Sequence, residues 1–148
     1  MPPTESIPRS HARFSKEILE ALDKGKALRI RAGTQPHRFI GIWVVVVEEH
    51  VFVRSWSLKA NGWYRTFLKD PAGVIQVLGR EIPVHAVFTK SKRLKGAVDR
   101  AYLEKYNTPA SLKYARDLGS AKSRATTTEL VPSPDVINQK VSTSASGC

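Results

Sequence analysis

Residues 42–68 read IWVVVVEEHVFVRSWSLKANGWYRTFL. The stretch begins with the most apolar run of the chain and ends in two arginine-bearing aromatic clusters, Arg54-Ser55-Trp56 and Trp63-Tyr64-Arg65. A β-branched run, a short acidic connection and a second β-branched run predict an antiparallel hairpin. Its second strand delivers Arg54 and Ser55 to a polar loop, and Trp63, Tyr64 and Arg65 follow at once. Guanidinium groups supply charge-assisted donors and indoles supply flat apolar faces, so the stretch could hold a phosphate and a ring. The other reading is that the aromatics plug a barrel end and the arginines are solvated.

Outward from that stretch, the pattern gives alternating strands and helices. Ser15 is placed to cap a helix that carries Ile18, Leu19 and Leu22 on one face and stops at Gly25. Residues 27–32 alternate Leu28 and Ile30 with Arg29 and Arg31, the period of a half-exposed strand with a basic outer face. After the turn at residues 33–37, residues 39–47 are apolar on both parities, as in a strand buried on both faces. Residues 51–56 form its hairpin partner, and 58–62 are a loop. Trp63, Phe67 and Tyr64, Leu68 share i, i+4 spacing, which predicts a short helix over 63–69 that ends before Pro71. Strands follow at 74–78 and 81–88, joined around Gly79-Arg80. Leu94, Val98, Ala101, Tyr102 and Tyr106 mark a long helix over 92–106, Pro109 opens another through Leu118, and 126–131 have strand composition.

Hairpins outnumber crossovers, which gives an α+β class or a small barrel and not a doubly wound parallel sheet. The chain of 148 residues is one domain in length. Residues 1–14 read as a loose arm, 15–132 as the folded domain, and 133–148, poor in apolar anchors, as a disordered tail.

With those elements placed, residues 38–88 resemble the split β-barrel of flavin- and deazaflavin-binding proteins. The run WVVV, acidic turn, VFVRS, polar loop, GWYRTFL, VIQV and GREIPV is similar to the deazaflavin-dependent nitroreductase-like branch. It resembles in particular a family of unknown function in that group, whose members end in a Thr-rich Leu-Val-Pro strand, as residues 126–132 do. The likeness spans residues 27–132. It implies a six-stranded antiparallel split β-barrel of the flavin-reductase or pyridoxamine-phosphate-oxidase type with flanking helices. It also implies a homodimer that builds its cofactor site between subunits. By position, Arg54 and Ser55 would hold phosphate or ribityl, and Trp63, Tyr64 and Arg65 would border the ring of FMN or a deazaflavin. Deazaflavin-binding relatives carry a Gly-Arg-Lys-Ser/Thr-Gly loop where this chain has Gly33-Thr34-Gln35-Pro36-His37-Arg38. The lysine is missing, and the phosphate clamp would rest on Arg38 and Arg54.

Charge admits a second class of partner. The formal charge is +11, and residues 91–124 carry nine Lys and Arg against three acids. Such a balance attracts polyanions, including nucleic acid. No zinc spacing, RNP-like motif or helix-turn-helix signature accompanies it. The first turn of the long helix holds Lys92, Arg93 and Lys95, an anion site or a solvated basic turn. His11, His37, His50 and His85 are dispersed and there is no Cys-x-x-Cys or G-x-S-x-G, so neither metal binding nor triad hydrolysis is expected. Cofactor chemistry would need none of those groups.

Cys148 is the single cysteine, so no intrachain disulfide forms. The apolar run at 42–47 is far short of the roughly 20 residues a bilayer span needs, and the first residues do not read as a secretory signal. The expectation is a soluble cytoplasmic protein. Its functional readings are a flavin- or deazaflavin-binding oxidoreductase-like protein of unknown substrate, a non-catalytic basic barrel that binds nucleic acid or another polyanion, or a structural barrel without a ligand.

Overall fold

Seven strands form one antiparallel sheet in the order β2-β1-β5-β6-β7-β4-β3, and its two outermost strands are consecutive pieces of chain. The structure, a computed structural model, describes residues 13–34, 38–55 and 62–133. The strands are β1 (Leu28–Ala32), β2 (Ile40–Ile42), β3 (Val44–Val47), β4 (His50–Val53), β5 (Ala72–Val77), β6 (Arg80–Phe88) and β7 (Thr128–Pro132). The helices are α1 (Lys16–Lys24), α2 (Trp63–Lys69), α3 (Lys92–Lys105), α4 (Pro109–Leu118) and α5 (Ala121–Arg124).

The strand expected over 39–47 is divided at Trp43. β2 pairs with β1 (Ile42 opposite Leu28), whereas β3 pairs with β4 (Val44 opposite Val53). One bent segment therefore forms both edges, and the sheet curls into a nearly closed barrel. This division makes the strand count seven and not six. A break leaves backbone groups that need partners, and α3 supplies them. Tyr102 Oη donates to the Trp43 carbonyl at 2.9 Å, Val44 N donates to Tyr106 Oη at 3.2 Å, and Lys105 Nζ donates to the Val44 carbonyl at 2.8 Å.

The apolar run on both parities acquires its reason here. Val44, Val51 and Val53 belong to the barrel interior with Ile30, Phe67, Ile75 and Leu130. Val45 and Phe52 face the other way and pack with Val98 and Tyr102 of α3, Tyr106 at its C-terminal cap, and Ala115 and Leu118 of α4. β3 and β4 thus lie between two apolar layers, as a strand buried on both faces requires.

Local signals place most of the ends. Ser15 Oγ accepts from Ile18 N at 3.3 Å to start α1, and Thr108 with Ser111 forms a capping box at α4. The hairpin between β3 and β4 turns on Glu48 and Glu49 at φ 53° and 69°, a left-handed pair that L-residues adopt at a cost. Arg93 holds Glu48 through bonds of 2.6 and 3.3 Å, and Arg13 holds Glu49 at 2.8 Å. These acids tie the connection to α3 and to the segment before α1. The β5–β6 hairpin turns on Leu78-Gly79 (φ 53° and 72°), one position earlier than the expected Gly79-Arg80. The last strand begins at Thr128 and not at 126, because α5, which no sequence pattern announced, occupies Ala121–Arg124.

Among the described residues no helix is long and apolar enough to cross a membrane. Trp56, residues 58–61 of the loop expected over 58–62, and nearly all of the expected arm and tail lie outside the described residues.

Candidate functional site

Arg38 and Trp63, two of the residues singled out in the sequence, line one pocket of about 210 Å³ together with Arg31, Ile30, Ile40 and Thr66. Three elements build it. β1 contributes Ile30 and Arg31, the segment entering β2 contributes Arg38 and Ile40, and the first two turns of α2 contribute Trp63 and Thr66. The register explains why two arginines converge: Ile30 lies opposite Ile40, so the residues beyond each, Arg31 and Phe39, come together. The Arg31 guanidinium lies 4.9 Å from the centroid of the Phe39 ring, a cation–π contact that orients it.

The pocket wall is braced from below. Gly33 has φ 80°, and a Cβ there would come within 2.9 Å of Thr66 Cγ2, so glycine is required by both conformation and space. Thr34 donates to Asp70 Oδ2 through its backbone N at 2.9 Å and its hydroxyl at 2.8 Å. The Thr34 hydroxyl, with help from the Ala72 N–H, holds the Asp70 carboxyl below its ordinary value. The turn after β1 is thereby fastened to the C-terminal end of α2.

Trp63 is buried, edge-on to Tyr64 and Phe67 at 6.1 and 6.0 Å between centroids. It is both core and pocket wall, so the two readings of this aromatic are not alternatives. Tyr64 packs edge-on against Phe88 at 5.7 Å and does not line the pocket. Arg65 is exposed on the intervening face of α2.

Arg54 is elsewhere, and its expected role as a phosphate donor does not fit its position. It is only 1% exposed. Its Nε donates to Thr127 Oγ1, Nη1 to Asp99 Oδ1 and the Leu118 carbonyl, and Nη2 to the Lys95 carbonyl. Four of the five N–H groups of a guanidinium are so committed, and its plane lies over Tyr102 at 5.9 Å. Arg54 joins β4, α3, α4 and the segment before β7. Ser55, also buried, donates its backbone N–H to Thr126 Oγ1 at 2.8 Å in the same interior network. Sequence alone could not separate Arg54 from Arg38, because each flanks an apolar segment. The signal that could have done so was the Thr126-Thr127-Thr128 run, a source of buried hydroxyl acceptors.

The basic start of α3 is partly spent. Ser91 Oγ caps it by accepting from Leu94 N at 3.1 Å, and Arg93 is turned to Glu48. Arg124 Nε lies 3.1 Å from Asp99 Oδ2 without hydrogen-bond alignment. Trp43 stacks on Tyr114 at 5.3 Å and meets Tyr106 edge-on at 4.5 Å, so it belongs to the sheet–helix layer. Among the described residues, no three of His, Cys, Asp and Glu gather in a metal-binding arrangement.

Residues 18–130 match the sequence profile of a family described as "Uncharacterized protein conserved in bacteria (DUF2255)". No curated protein matches the chain. Among solved structures, the chain is similar to the conserved hypothetical protein Rv2991 from Mycobacterium tuberculosis, at 13% identity and a TM-score of 0.50 over 82% of this chain and 80% of that one. At that identity the likeness concerns the fold.

Proposed function

The chain belongs to the DUF2255 family, and we propose that it binds a flavin- or deazaflavin-type cofactor and serves as an oxidoreductase. In this reading Arg31 and Arg38 grip the phosphate and Trp63 flanks the ring system. One observation supports it above the others: Arg31, Arg38 and Trp63 line a single pocket on a barrel, so two planar cations and an indole face one small volume. The pocket, about 210 Å³, is smaller than the roughly 300–1,000 Å³ of a site that encloses a whole ligand. It suits the phosphate end, with the ring extending past Trp63 toward a second copy of the chain. A homodimer is therefore part of the proposal.

The test is titration of the purified protein with FMN and with a deazaflavin, read by quenching of tryptophan fluorescence, by thermal shift and by light scattering. Saturable binding with a raised Tm is expected, together with a dimeric mass. No quenching and no shift with either cofactor in large excess would overturn the reading. The polyanion alternative has less behind it, since Arg93 is engaged by an acid and Arg124 sits beside one. Retention on DNA that collapses steeply with salt, without flavin binding, would favour that alternative instead.

A further inference from the structure

We propose that Lys105 is the nucleophilic amine of a second site, which takes a small carbonyl compound bearing an anionic group and holds it as a reversible imine. The site is a pocket of about 480 Å³ where the end of α1, the break at Trp43, the end of α3 and the start of α4 meet. Lys24, Lys26, Trp43, Lys105 and Tyr106 are among its lining residues. It is separate from the arginine pocket and does not depend on the flavin reading.

The fixing of Nζ carries the argument. It donates to the Leu22 carbonyl and to the Val44 carbonyl, both at 2.8 Å. An ammonium has three N–H donors, and a neutral amine keeps two of them and gains a lone pair. Both carbonyl bonds therefore survive loss of the proton, and the third position on nitrogen becomes the nucleophile. Burial makes that loss easier: it pulls the Lys105 pKa down to about 8, against the opposing pull of the Asp23 carboxylate. Desolvated lysines of this kind serve as Schiff-base nucleophiles.

The surroundings select the ligand. Trp43 and Tyr106 give an apolar wall for a carbon frame, while Lys24 and Lys26 attract a carboxylate or phosphate. The charged and titratable groups around Nζ are Asp23, Lys24 and Lys26 from α1 and its end, and Glu104 and Tyr106 from α3. In the reaction, the Nζ lone pair attacks the carbonyl carbon and one of the N–H protons passes to the oxygen. The carbinolamine hydroxyl then takes a second proton from solvent and leaves as water, and the nitrogen lone pair closes a protonated C=N bond. Nothing is oxidised or reduced, and water reverses the step. The protonated imine keeps one N–H, enough for one of the two carbonyls.

The probe is 4-formylbenzoate with cyanoborohydride, which reduces any imine to a stable adduct, applied to the full chain and mapped by peptide mass spectrometry. Lys105 should be modified about tenfold faster than the exposed Lys113 and Lys122, because its lowered pKa leaves an appreciable share of it as free amine near neutrality. Its rate should climb through about pH 8. Benzaldehyde, which lacks the carboxylate, should react there several-fold more slowly, and Lys24→Gln with Lys26→Gln should abolish that preference. Modification of Lys105 no faster than of Lys113 would overturn the proposal, as would equal rates for the two aldehydes. The wild-type map decides without any variant having to fold.

Discussion

The Arg54 guanidinium meets the Asp99 carboxylate at 2.5 Å, joining the end of β4 to the middle of α3 across the sheet–helix boundary. The same guanidinium also bonds the Leu118 and Lys95 carbonyls and Thr127. Taking the guanidinium away leaves these interior acceptors without their donor, while Asp99, part-exposed and beside Arg124, is not stranded; acceptors left unmet in this way cost about 2–5 kcal/mol together. Arg54→Met should lower stability by about that much, and Arg54→Lys should recover only part of it, because an ammonium lacks the planar fork. Urea unfolding measures both. A loss below about 1 kcal/mol for Arg54→Met would mean the network is dispensable.

Arg38 and Arg65 should behave differently in cofactor titrations, although the sequence offered both as cofactor contacts, Arg38 at the phosphate and Arg65 at the ring. Arg38→Ala removes a pocket donor and should weaken phosphorylated-flavin binding by about tenfold or more. Arg65→Ala, on the exposed face of α2, should leave the affinity nearly unchanged. Equal losses in the two variants would place the ligand outside the arginine pocket.

At Gly73 in β5, an added Cβ would lie 2.9 Å from the Arg31 carbonyl and 2.9 Å from the Phe67 ring. Neither neighbour is the loose end of a flexible chain. Gly73→Ala should therefore push β1 and α2 apart and cost about 1–3 kcal/mol. Thermal melts report the loss. Flavin binding should suffer with it, since Arg31 and Trp63 sit on the two displaced elements.

His50 Nδ1 lies 2.6 Å from Glu129 Oε2 across β4 and β7. The hydrogen bond that His50 Nδ1–H donates to the Glu129 carboxylate raises the His50 pKa above its ordinary 6.5. A raised histidine binds its proton more tightly folded than unfolded. Its contribution is full below about pH 6.5 and fades as pH rises through the higher folded value. Urea midpoints between pH 5 and pH 9 should show wild type losing more stability than His50→Gln over that window. Parallel profiles would rule the pair out as a source of pH dependence.

The Glu48-Glu49 turn offers a gain instead. Both residues sit at positive φ, where Asn-Gly is preferred in two-residue hairpins. Replacing the pair with Asn-Gly should stabilise the protein by about 1 kcal/mol by relieving left-handed strain, more than the exposed contacts to Arg93 and Arg13 return. A lowered urea midpoint would show that those contacts matter more than the strain.

The fold was largely legible because its signals are local: Ser15 and Pro109 at helix starts, the double-parity valine run, and i, i+4 spacing from Trp63 to Phe67. The break at Trp43 was not, because the groups that satisfy it come from Tyr102, Lys105 and Tyr106, far along the chain. Residue types suggested a phosphate-and-ring site, but partners decide which arginine is available. Thr127 and Asp99 turn Arg54 inward, whereas β1–β2 register brings Arg31 beside Phe39 and into the pocket with Arg38. Arg31 had been assigned only to a basic outer face. Strand register is the quantity that alternation alone does not supply.

β7 lies between β6 and β4, and among the described residues it is the last strand in sequence. Until residues 128–132 leave the ribosome, β6 and β4 each present an unpaired edge, the kind of surface that recruits foreign strands. The nascent barrel is thus an open ring awaiting its keystone. A chain stopped just short of Thr128 would keep both raw edges, and its fate would be aggregation even though every helix and six of the strands were already made.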